Sequence, residues 1–214
     1  MKKKILTVTL IIAIAAVAAV GTLAYFTDEE EAENVMQFGK VDVEFTEPAW
    51  DPMENHVLVP GVAIPKDPTI KLADDSLQSW VLMDVRLDAV LVNLMAENEE
   101  MSAEELLDAL EASHTFRENF VNKWLTGIDH ESWEIIGFKN TESEFILRIG
   151  YKTVFQPGDE VVFMTGIQMP ETVTSEMIQN VDYNGEVGMG FKVYAVQAMP
   201  VNTLAEAAAV IPAL

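Results

Sequence analysis

The sequence predicts a mainly β protein: an antiparallel, jelly-roll-like β-sandwich, interrupted by an inserted helical hairpin at about 101–127 and closed by a short C-terminal helix. Three observations carry this expectation. About seven stretches alternate apolar and polar residues, or run apolar between turn residues, as strands do. No strand–helix–strand rhythm recurs, so a parallel sheet is not expected. The one long helical pattern, complete with caps, lies between strands, as an insertion into a sandwich or jelly roll would.

The chain opens with Lys2-Lys3-Lys4, an uncharged run from Ile5 to Val20, and the small-residue stretch Gly21-Thr22-Leu23-Ala24. A positive start, an apolar middle and small residues at the end form the three-part pattern of a secretory signal peptide. Residues 1–24 are therefore read as a leader cut after Ala24, with Ala24 at −1, Thr22 at −3 and Tyr25 opening the mature chain. Residues 25–214 are then a single secreted domain. A retained anchor is the alternative. Counted through Phe26, the uncharged stretch reaches the ~20 apolar residues that cross a bilayer.

Tyr25 to Asn34 is an aromatic pair followed by an acidic run. Val41, Val43 and Phe45 then alternate with Asp42, Glu44 and Thr46, the pattern of a half-buried strand, which Pro48 and Pro52 end. Val57 to Ile70 is extended, with a turn at Pro60-Gly61, and Pro65 and Pro68 exclude a long helix. Thr69-Ile70-Lys71-Leu72 is a short strand. Trp80 to Leu94 is a long apolar run with Val81, Met83, Val85 and Leu87 on one parity and Asp84, Arg86 and Asp88 on the other, read throughout as a central strand.

From Met101 to Gly127 the period changes. Ser102 and Glu105 form a capping box, with Met101 and Leu106 as its hydrophobic staple. Thr115 and Glu118 form a second box, Phe116, Phe120, Val121, Trp124 and Leu125 give an apolar stripe, and Gly127 is the stop. Strands resume at Trp133 to Phe138 and again where Phe145, Leu147, Ile149 and Tyr151 alternate with Ile146, Arg148 and Lys152. Pro157-Gly158-Asp159 turns the chain into a strand over Glu160 to Gln168. Pro170 to Asn180 is a short helix or an irregular segment. Tyr183-Asn184-Gly185 turns into the last strand, Val187 to Met199, and the Ala-rich stretch Thr203 to Leu214 forms the terminal helix.

The formal net charge is −22, and removing the leader takes three lysines and no acid, which leaves −25. Such a surface repels nucleic acid and anionic lipid, so contact with a membrane is expected only through the leader before cleavage. With no cysteine, thiolate catalysis, thiolate metal sites and disulfides are excluded. A secreted chain without disulfides fits bacterial export better than a eukaryotic secretory domain.

The three histidines are His56, His114 and His130. A zinc peptidase helix needs two histidines one turn apart so that both imidazoles face one metal. His130-Glu131-Ser132-Trp133-Glu134 has Glu134 where the second histidine belongs, so His130, Glu131 and Glu134 are a weak zinc cluster. Asp182, Asn184 and Glu186 alternate oxygen ligands around a turn and are a weak calcium candidate, without the rest of a twelve-residue calcium loop. No nucleophile elbow and no phosphate loop occurs. No enzymatic activity and no obligatory cofactor are expected. Of the four tryptophans, Trp50, Trp80, Trp124 and Trp133, the second and third fall on core faces, and Trp50, between Pro48 and Pro52, is the candidate platform for a glycan or a surface partner.

The leader and its sequel resemble a known family. Gly21-Thr22-Leu23-Ala24-Tyr25-Phe26-Thr27-Asp28, then Asn34-Val35-Met36-Gln37-Phe38-Gly39-Lys40-Val41-Asp42-Val43, is similar to the SipW-dependent signal peptide and first strand of TasA- and camelysin-like exported proteins. Val59-Pro60-Gly61 resembles that family's proline–glycine turn. The specific match covers roughly the first forty-five residues. The resemblance implies export through a SipW-like signal peptidase, a jelly-roll fold, and a role in extracellular matrix or biofilm fibres of Gram-positive bacteria. It further implies that a freed N-terminal segment, within residues 25–46 and including Val35, Phe38, Val41, Val43 and Phe45, inserts as a donor strand into the next copy or a related matrix protein. The alternative is that this segment pairs within its own domain. Camelysins are classed as metallopeptidases, and without a second histidine that activity is only an alternative here. A cell-surface binding module is the other.

Overall fold

The computed structural model describes residues 40–54, 56–141, 143–181 and 187–214. The leader positions Thr22, Ala24 and Tyr25, the donor positions Val35 and Phe38, and the calcium candidates Asp182, Asn184 and Glu186 lie outside the described residues. The protein is mainly β, with three antiparallel sheets and five helices among the described residues.

The strands are β1 (Val43–Thr46), β2 (Ala63–Pro65), β3 (Thr69–Leu72), β4 (Ser79–Asp88), β5 (Leu125–Thr126), β6 (Trp133–Asn140), β7 (Glu144–Tyr151), β8 (Glu160–Val162), β9 (Gly166–Gln168) and β10 (Met189–Gln197). The helices are α1 (Ala89–Asn98), α2 (Ala103–Ala112), α3 (His114–Trp124), α4 (Ser175–Asn180) and α5 (Leu204–Val210). The largest sheet has the order β10-β4-β7-β6, and the two smaller ones run β1-β3-β8 and β2-β9-β5. No helix among the described residues is long and apolar enough to cross a membrane.

Strand alternation decides what the large sheet buries. Val81, Met83, Val85 and Leu87 of β4 share a face with Phe145, Leu147 and Ile149 of β7, through the register Met83↔Ile149, Val85↔Leu147 and Leu87↔Phe145. This face meets the main core, into which α1, α2 and α3 send Leu91, Leu94, Leu106, Leu110, Phe120 and Trp124. The opposite parity carries Trp80, Leu82 and Asp84, and it too is covered. Helix α5 seats Ala207, fully buried, against Trp80 and Leu82. The chain on either side of α5 is pinned by Trp80 Nε1–H donating to the Val201 carbonyl (3.1 Å) and Arg148 donating to the Pro212 carbonyl (2.9 Å). Gly150 leaves room for this cover, because a Cβ there would lie 2.6 Å from the Leu204 side chain.

On that covered face Arg148 forms a two-pronged pair with Asp84, at 2.7 Å from Nε and 2.8 Å from Nη2. The Tyr194 hydroxyl donates to the same carboxylate at 3.0 Å. Both charges are buried. The hydrogen bonds to Asp84 hold the guanidinium even more firmly protonated than usual. Asp84 thus resolves its place in an apolar run: it is an inward charge with its partners supplied.

Four local expectations are corrected. The run Trp80 to Leu94 is not one strand. Its last ladder partners are Glu144 and Met189, where β7 and β10 begin, so residues past Asp88 have no strand beside them and continue as α1. The second cap of the hairpin is Ser113, not Thr115; one residue separates α2 from α3, and its hydroxyl accepts from the Phe116 N–H. Helix α3 ends at Trp124, three residues before Gly127, whose φ of 77° serves the turn after β5. The stretch Glu160 to Gln168 is two strands in different sheets, because adjacent Phe163 and Met164 are both fully buried and break the alternation between them. The first capping box forms as read: the Glu105 N–H donates to Ser102 Oγ, and the Ser102 N–H to Glu105 Oε2.

Candidate functional site

Between β1 and β2 the chain makes a long excursion that the prolines keep out of any ladder. It is held by local bonds. The Ala49 N–H donates to Asp67 Oδ1 (2.6 Å), the His56 ring nitrogen Nε2 lies 2.8 Å from the Asp51 carbonyl, and the Gly61 N–H donates to the Met169 carbonyl (2.8 Å). Gly61 has a φ of 78°, which the expected Pro60-Gly61 turn requires of its third residue. The excursion forms one wall of a cleft of about 910 Å³. The other walls come from β2, β9, the start of α1, α4 with the residue after it, and the entry to β10, so the cleft is lined chiefly by aliphatic side chains.

One charged side chain sits inside. Lys66 follows β2 directly and is 3 % exposed. Its ammonium lies 2.6 Å from Glu47 Oε1, 3.8 Å from the centre of the Trp50 indole and 5.4 Å from that of Phe191. Removing an ammonium from water costs several kcal/mol unless it is paired, and here a carboxylate and two aromatic faces compensate. The other side of Trp50 is stacked on His56, with ring centres 3.8 Å apart at 24°. The imidazole leaves no space on its own side, so the lysine covers the opposite one. Both faces of Trp50 are taken, and this indole offers no free platform for a sugar ring. Asp88 is the second charge in the wall; its carboxylate accepts from the Gly188 N–H.

The zinc candidates are not brought together. The His130 ring faces helix α3: Nε2 is 2.9 Å from Asn122 Oδ1 and Nδ1 is 3.6 Å from Glu118 Oε1. Glu131 and Glu134 are exposed, and the Glu131 N–H is bonded to Asp129. The second histidine near His130 is His114, which reaches the other oxygen of Glu118 at 3.6 Å. Among the described residues no three ligand-type side chains are grouped to hold a metal. Burial holds the His130 imidazole below its usual pKa, outweighing the pull of Glu118 toward the charged form. The arrangement is a proton-sensitive contact between α3 and the loop before β6.

Of the donor positions within the described residues, Val43 and Phe45 belong to β1 and pair with Leu72 and Ile70 of their own β3. Val41 precedes that strand and is 37 % exposed. The cleft residues were not singled out by the sequence, except Trp50. Lys66 carried a faint signal: a lone lysine between Pro65 and Pro68 in an extended segment.

The chain matches none of the protein-family models with which it was compared, and no curated protein matches it significantly.

Proposed function

We propose that the chain is a secreted structural protein of a bacterial extracellular matrix or cell surface. A SipW-like signal peptidase releases it after Ala24, and it assembles into fibres, with itself or a related matrix protein, by exchanging an N-terminal donor strand. In this reading the three sheets are a jelly-roll-like scaffold. The observation that carries it is the likeness of Gly21 to Asp28 and Asn34 to Val43 to the leader and first strand of the TasA- and camelysin-like exported proteins.

Two features of the fold bear on the reading. β1 begins at Val43 and pairs in its own sheet, as the alternative for that part of the segment expects, so in this reading the donor is drawn from the residues before it, with Val35 and Phe38 among its apolar members. Among the described residues each sheet also ends in strands that pair on one side only, and β8 is such an edge, with Val162 47 % exposed. An unpaired edge is a template for a foreign strand, and a head-to-tail contact that does not close builds a filament.

Mass spectrometry of the exported protein should give a chain starting at Tyr25. Electron microscopy and light scattering of that protein at high concentration should show filaments that are lost on deleting residues 25–39. A protein that stays monomeric in both measurements, or filaments that survive the deletion, would overturn the reading.

A further inference from the structure

The cleft between the 47–62 excursion and helices α1 and α4 is a second feature with chemistry of its own, independent of the assembly reading. Its volume of about 910 Å³ lies near the upper end of the range for small-molecule sites, roughly 300–1,000 Å³. Its walls are aliphatic: Ile64, Leu91, Leu94, Ile167 and Ile178 among them. A long hydrocarbon chain is the body that such walls accept.

The polar groups decide the head. Lys66 has three N–H bonds. The ammonium is ion-paired with Glu47 Oε1 outside hydrogen-bond geometry and lies against the Trp50 and Phe191 rings, which leaves donor capacity for an oxygen entering the cleft. The charges around it are Lys66, Glu47 and Asp88, a local balance of minus one, in a chain whose formal charge is −22. A carboxylate ligand would add an uncompensated negative charge to an apolar site, which is costly. An uncharged carbonyl needs only the hydrogen bond.

We infer that this cleft binds a long-chain acyl compound with an uncharged carbonyl head, such as an ester or primary amide, its chain on the aliphatic walls and its carbonyl oxygen accepting from Lys66 Nζ.

The test uses the mature protein, a neutral fluorophore (phenylnaphthylamine) and three competitors of equal chain length: methyl dodecanoate, dodecanoate and dodecylamine. Methyl dodecanoate should displace the fluorophore best, and dodecanoate should bind roughly tenfold more weakly or worse, as an unpaired charge in an apolar site requires. Lys66→Met should weaken the ester by roughly tenfold, the lower end for a hydrogen bond from a charged donor. Ile178→Trp, at a half-buried wall position, should abolish displacement by filling the cleft while circular dichroism stays that of the native protein. No displacement by the ester, an acid or amine that binds as well as the ester, or ester binding unchanged by both Lys66→Met and Ile178→Trp would each overturn the inference.

Discussion

Replacing Asp84 by Leu should be among the most destabilising single changes on the outer face of the large sheet. Asp84 is 2 % exposed and accepts three hydrogen bonds, two from Arg148 and one from Tyr194. Without it, the Arg148 guanidinium stays 5 % exposed with no anion beside it. Removing one partner of a buried pair costs about 3–5 kcal/mol. For a domain of this size each kcal/mol moves Tm by about 2–4 °C, so the midpoint should fall by roughly 6–20 °C. Arg148→Met should cost a similar amount, since it strands the carboxylate and frees the Pro212 carbonyl. The double variant removes both charges together and leaves only the Tyr194 hydroxyl and that carbonyl without their partners. At about 1–3 kcal/mol for each such unsatisfied group, it should cost less than the sum of the two single changes. Urea unfolding of the four proteins closes the cycle. Single variants that each lose under about 1 kcal/mol, or a double variant that loses the sum of the two, would show that the charges are solvated and act separately.

Two further outcomes follow from local geometry. The His130 imidazole is held below its usual pKa of 6.5, chiefly by burial. The unfolded chain therefore takes up a proton first as pH falls, and the stability this group contributes is present above about 6.5 and lost as pH drops through the folded value. Urea midpoints measured from pH 7 downward should fall less steeply for His130→Asn than for the wild type, and parallel curves would refute the burial argument. Gly127→Ala places a side chain at a φ of 77° and against the Thr165 side chain. It should cost at least about 1–2 kcal/mol in urea unfolding, the penalty for a left-handed residue with a Cβ.

The strands with clean alternation were legible because one parity is wholly apolar and the other carries charged residues, even though both faces are covered in the fold. That holds for β7, and for β4 as far as Asp88. Helix α1 was hidden for the opposite reason. Leu91, Val92, Leu94, Met95 and Ala96 are all buried, so no polar stripe marks a helical period, and the apolar run of β4 flows into it without a break. Its cap is silent too. The Asp88 side chain makes no cap bond and turns to the Gly188 N–H instead. Strands β2, β5 and β9 have two or three residues each, too few for any period to register. The cleft was illegible for a related reason: its walls come from six separate stretches of chain, and no local pattern links Lys66 to Glu47 or Trp50.

The C-terminal segment constrains where a partner strand can add under the proposed assembly. A sheet can receive a neighbour on a face or at an edge. In the large sheet the inner face carries the core, and the outer face is sealed by α5 and by the Arg148 bond to Pro212. Only edges remain. The edge strand β10 already lies beside β1, with Phe45 and Phe191 ring centres 5.7 Å apart. Strand β8 carries exposed Val162 and, among the described residues, pairs only with β3, so no described strand lies on its far side. A proline cannot donate to a ladder and blunts an edge. Val162→Pro should therefore reduce filament growth while leaving the monomer folded, because β8 is three residues long and contributes one half-buried residue, Val161, to the margin of the main core. Unchanged filament growth in this variant would move the acceptor edge to β2, β5 or β6.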